Sequence, residues 1–202
     1  MSARIAALVA LCALAARPLA AQALRYVGGD AGVARVRLKS ALPGGGGGET
    51  LSGVAAQGQA RLILGPVSLE VSYAQGRLSA DTGAGASQDL VDGSAFVALR
   101  PVPWLAVKGG PHLRAYVAPS GTERWVMWES RVRVEGSIIA GTLFAHVEGR
   151  LALASDVNVP PGASGARGGE AGLTLRGPQS PFWARLAYVV ERAQLVGNAR
   201  TE

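Results

Sequence analysis

The stretch "RVRVEGSIIAGTLFAHVEGRLAL", Arg131 to Leu153, sets a charged or polar residue at nearly every second position on both sides of a Gly-containing turn. Alternation with period two is the mark of extended chain, in which successive side chains point to opposite faces. Before the turn, Glu129, Arg131, Arg133 and Glu135 share one face and Ser130, Val132 and Val134 the other. After it, His146, Glu148 and Arg150 oppose Ala145, Val147, Gly149, Leu151 and Leu153. A soluble sheet buries the aliphatic face and wets the charges, whereas a barrel in a bilayer turns the aliphatics to lipid and the charges inward. The rest of the chain has to choose between the two.

Composition narrows the choice. The 202 residues are 49% hydrophobic and 17% charged, which excludes a disordered chain, and 28 Gly with 5% aromatics favours strands and turns over long helices. The N-terminus reads as a secretory signal: Arg4, then the apolar run Ile5 to Ala16, then Ala21-Gln22-Ala23 as a small-x-small cleavage site. Residues 1–23 are therefore expected to be removed and residues 24–202 to form one domain. The apolar run is too short to cross a bilayer as a helix. The single cysteine, Cys12, lies in that segment behind the bulky Leu11, so the domain holds no disulfide and must rely on closure or a core. Net charge is +6 and falls to +4 without Arg4 and Arg17, because 18 basic residues then face 14 acidic ones. The basic residues are spread along the strands, leaving no nucleic-acid footprint.

Nine strand-like runs follow one another: Leu24–Leu38, Leu51–Leu64, Val67–Ser79, Asp89–Arg100, Trp104–Val117, Glu123–Glu135, Thr142–Ser155, Glu170–Arg176 and Phe182–Val196. Most are long enough for a tilted membrane strand, which needs roughly nine to eleven residues. Their links alternate. "LPGGGGGET", "ADTGAGASQ", "APSGT" and "VPPGASGARGG" are the longer ones, against "GP", "PVP", "GSIIAG" and "GPQSP". In an antiparallel meander this puts longer loops at one end and tight turns at the other.

On this pattern and loop rhythm the chain resembles the small outer-membrane β-barrel proteins of Gram-negative bacteria, over roughly Leu24 to Val196. The resemblance implies an all-β, antiparallel up-and-down transmembrane barrel of 8 to 10 strands, set in outer-membrane lipid by the barrel-insertion machinery. That family uses even strand numbers and commonly closes on an aromatic residue, whereas this chain shows nine runs and ends "GNARTE". The economical expectation is a ten-stranded barrel lacking its last strand, with "VGNARTE" beginning an external loop. An eight-stranded barrel, in which Leu24–Leu38 with its "VGGDAGV" is no strand, is the alternative.

The inward face is then expected to carry a charge network of Lys108, Arg114, Glu129, Arg131, Arg133, Glu135, His146, Glu148 and Arg150, with Arg35 and Arg37 also inward. Opposite charges on adjacent strands should pair and fill so narrow a lumen. Trp125, Trp128, Phe182 and Tyr188 are expected at the membrane interfaces, while Trp104 and Trp183 have the parity of the polar face. His146 and His112 invite a catalytic reading with Ser130 or Ser137, yet nothing in the spacing fixes a triad. Two histidines without cysteine make a poor metal site. "GGGGG", Gly44 to Gly48, lacks the Lys-Ser/Thr of a phosphate loop. The expectation is a non-enzymatic barrel without catalytic residues or cofactors, with a structural, surface-interaction or small-solute role and an unknown surface ligand. Two readings rival it: a barrel enzyme acting on lipid, and a soluble secreted barrel or sandwich that binds a ligand.

Overall fold

The computed structural model describes residues 26–40, 49–81, 87–159, 162–177, 182–195 and 198–201. The expected signal segment lies outside them, as do parts of several loops. The strands are β1 (Tyr26–Ser40), β2 (Thr50–Leu64), β3 (Val67–Ala80), β4 (Gln88–Val102) and β5 (Leu105–Ala118), followed by β6 (Gly121–Ile139), β7 (Leu143–Val157), β8 (Ala163–Arg176), β9 (Trp183–Leu195) and β10 (Asn198–Thr201). Each pairs antiparallel with its chain neighbour, so the nine long strands form one curled meander sheet. The short β10 closes the ring between β9 and β1. It meets β9 over Asn198–Thr201 but β1 only at Lys39↔Thr201 and Ser40↔Arg200.

Local chemistry explains the turns and the tight curl. Between β2 and β3, Gly65 takes a φ of 62° that a side chain with a Cβ rarely adopts, and Pro66 follows it. On the inward face of β5, a Cβ on Gly110 would lie 2.0 Å from the carbonyl oxygen of Ala95 on β4. The neighbouring backbone occupies that space, which lets the sheet bend sharply there. The interrupted pairing between Ser94/His112 and Val97/Gly109 flanks the same point, beside Pro111.

Several elements differ from their sequence expectation. The eight-strand alternative fails at Leu24–Leu38, which from Tyr26 onward is strand through "VGGDAGV" as the nine-run reading expects, because β2 pairs with it continuously from Tyr26↔Ile63 to Lys39↔Thr50. "VGNARTE" contains β10 rather than only loop. β8 begins at Ala163, so "ASGARGG" is strand where its Gly and Ser suggest loop. Residues 119 and 120 alone join β5 to β6, making a tight turn where a longer loop was expected, and the loop asymmetry is clearest in the longer β1–β2 and β3–β4 links against the two-residue β2–β3 turn.

Inside the ring, side chains are layered. At the end bearing the 41–49 loop, Leu38, Leu51, Leu78, Leu90, Tyr116, Trp125 and Met127 form a buried apolar plug with Val157 and Ala166. Toward the opposite end the lumen turns polar, with buried Glu70, Lys108, His112, Glu129, Arg133, His146, Glu148 and Glu170.

Candidate functional site

The polar layer is a continuous ion-pair network spanning β2 to β9. Glu70 on β3 forms ion pairs with Arg61 and with Lys108 Nζ, each at 2.8 Å, and Lys108 reaches on to Glu148 at 3.2 Å. Arg131 lies 2.8 Å from Glu129 and 3.8 Å from Glu148, with its guanidinium 4.2 Å above the Phe96 ring. Arg133 donates to Glu135 at 2.9 Å. Arg114 joins Asp92 and Glu191, both at 2.7 Å. Glu170 collects Arg150 at 2.6 Å, His146 Nε2 at 2.8 Å and Arg185. Of the nine residues expected on the inward face, Lys108, Arg114, Glu129, Arg131, His146, Glu148 and Arg150 lie in this connected set, while Arg133 and Glu135 pair with each other beside it. The arrangement follows from parity, because cross-strand partners such as Lys108↔Arg131 and Glu148↔Glu170 share a face.

Such a network is costly to leave half made. A buried charge that loses its partner destabilises by about 3–5 kcal/mol. Between Arg61, Glu70, Lys108, Arg133, Glu148 and Arg185 it leaves a cavity of about 70 Å³. That is room for about two waters, each taking roughly 30 Å³.

The histidines are engaged by acids. His112 sets Nδ1 2.5 Å from Glu129 and Nε2 2.8 Å from Asp92, and both bonds are made only when each ring nitrogen carries a hydrogen. Ser94 is the cross-strand partner of His112, but its hydroxyl pairs with that of Ser72 at 2.7 Å. Ser137 donates to the Ile139 carbonyl in the β6–β7 turn, and Ser130 has the outward parity of Val132. The structure brings neither of those two serines to a histidine. Among the described residues no group of His, Cys, Asp and Glu is arranged to hold a metal ion.

Three expected placements need correction. Trp125 points into the lumen, 2% exposed, and its indole donates to Glu123 at 2.7 Å. It stands four residues before Glu129 on the same strand, so strand parity alone places it inside. Arg35 and Arg37 face outward, because Leu38 occupies the inward parity of β1. The other three aromatics, Trp128, Phe182 and Tyr188, are exposed. Sequence reasoning also missed Asp30, which β1 turns inward among the glycines, and the plug residues Tyr116 and Met127. Alternation with luminal charges on the same strand was the signal available for Tyr116 and Met127, in step with Arg114 and Glu129; β1 offers no such guide to Asp30.

The outer wall is the inverse of the lumen. Val71, Val97, Leu113, Val132, Val134, Val147, Leu151, Leu173 and Leu186 all stand exposed around the barrel. No helix among the described residues is long and apolar enough to cross a membrane, which leaves strands out of account. Comparison with known proteins finds no matching family model, no matching curated protein and no matching solved structure.

Proposed function

We propose that this chain is an integral outer-membrane barrel, non-enzymatic, with its lumen shut and its role carried by its wall and loops. The observation that carries the reading is the inversion of the sheet: charged groups are buried inside the ring while the aliphatic face is solvent-exposed. In water this would expose a large apolar belt, which soluble monomers avoid. In a bilayer the belt meets acyl chains, and the long strands, of 13 to 19 residues at about 3.3 Å per residue, span the hydrocarbon even when tilted. The apolar plug above a matched charge network favours a structural or surface-interaction role over solute passage. The outward parity of Ser130 and the bond of Ser137 to the Ile139 carbonyl keep both candidate nucleophiles off the histidines, in support of the non-enzymatic half of the reading.

The test is fractionation of cells producing the full chain, then electrophoresis of the membrane extract with and without boiling. Recovery in the outer membrane with a heat-dependent mobility shift is the expected result. Recovery as a soluble periplasmic protein without a shift would sink the proposal. A second arm places a charge in the belt: Val147→Arg should cost about 2–4 kcal/mol in a bilayer and almost nothing if that face is wet.

A further inference from the structure

We propose that the outward face astride the β9–β10–β1 junction binds the phosphate-bearing head group of an anionic lipid. Arg167 on β8 and Arg192 on β9 are directly opposed on that face. Continuing around the ring, Arg192 opposes Thr201 of β10, and Thr201 opposes Lys39 of β1. Arg37 and Arg35 follow Lys39 down β1 at every second position, all of them exposed. Five cations thus occupy one patch, and among the described residues the carboxylate paired with it is Asp81, 3.4 Å from Arg37. Among the described residues Arg35, Lys39, Arg167 and Arg192 make no ion pair. Arg77, outward on β3, is different: it lies 3.9 Å from Asp89 and donates to Ser87 at 2.9 Å.

Like charges directly opposed across a sheet repel, so the Arg167–Arg192 pair is a defect unless an anion lies between them. Guanidinium forks match phosphate oxygens, and strands about 4.8 Å apart stretch the row from Arg167 to Lys39 over roughly 14 Å, wide enough for one or two phosphate groups. Toward the other end of the barrel the same face becomes apolar, with Val33, Leu186 and Tyr188 each at least 75% exposed. Cations above and bare apolar surface below fit an amphiphile, its phosphate on the arginines and its acyl chain along β9 and β1. Free phosphate would use only the upper half.

This inference rests on the membrane reading, and the experiment separates the two. The full-length barrel is reconstituted in phosphatidylcholine bilayers containing a minor fraction of phosphatidic acid, and co-retained lipid is measured by native mass spectrometry. Phosphatidic acid should be enriched over phosphatidylcholine. The double variant Arg167→Gln/Arg192→Gln should lose about thirtyfold of that preference, at roughly fivefold per basic residue near an anionic surface. Arg77→Gln should leave it unchanged, and the heat-modifiable transition of the double variant should stay or rise as the repulsion goes. Equal retention by wild type and double variant would overturn the inference, as would full displacement of the lipid by inorganic phosphate. A barrel that inserts without head-group preference defeats this inference alone, whereas a chain that never inserts defeats both readings.

Discussion

The β5–β6–β7 wall and the β9–β10–β1 seam are built from the same strand geometry and held in opposite ways. In the wall, β5 and β6 pair without a break from Leu105↔Val134 to Ala118↔Gly121, and their inner faces carry His112, Glu129 and Arg131 in mutual contact. At the seam, β1 from Val27 to Leu38 has no strand partner on its side away from β2, and β9 from Trp183 to Glu191 has none on its side away from β8, among the described residues. Trp183 and Val189, which have inward parity, are 37% and 41% exposed there. A residue's parity decides which way it points, but only a neighbouring strand decides whether it is buried.

The largest effect that tests this contrast belongs to the wall. Glu129→Ala removes the acceptor shared by His112 and Arg131 at a position 2% exposed, and should cost about 3–5 kcal/mol, read as a drop in the urea midpoint. Gly110→Ala comes next. Its new Cβ meets the Ala95 carbonyl, and overpacking of this kind costs about 1–3 kcal/mol by the same measurement. At the seam the penalties should shrink: Arg185→Gln, whose side chain is 25% exposed, should cost about 1 kcal/mol or less. The smallest change is expected for Tyr188→Ala, roughly 0.5 kcal/mol, since its side chain is 75% exposed. A loss at Arg185 as large as at Glu129 would erase the distinction between the two regions. Amide hydrogen exchange would sharpen it, with Val27–Val36 exchanging well before Val126–Val134.

Most of the wall was legible in the sequence because strong alternation and, between β5 and β6, uninterrupted pairing report the same thing. Arg131, Arg133, His146 and Glu148 announce both strand and face. Where side chains are missing, that signal fails: "VGGDAGV" in β1 and "ASGARGG" in β8 are strands because β2 and β9 pair with them, not because their residues prefer it. Trp125 was misplaced for another reason. Its type suggested an interface, while its position, in step with Met127 and Glu129, put it inside the plug. The layering of the lumen into an apolar and a charged half depends on strand stagger around the ring, which single-strand patterns do not carry.

The count of long strands has a further consequence. Nine is odd, so in a strict meander β1 and β9 point the same way along the barrel. If thermal motion brought their free edges together, the contact would be a parallel ladder, a pairing slightly weaker per residue and foreign to every other junction in this sheet. The ring therefore has no smaller antiparallel state to relax into: contraction is blocked by direction, not by size. The strand of opposite sense that closes the ring is β10, antiparallel to both neighbours, and it does so with four residues.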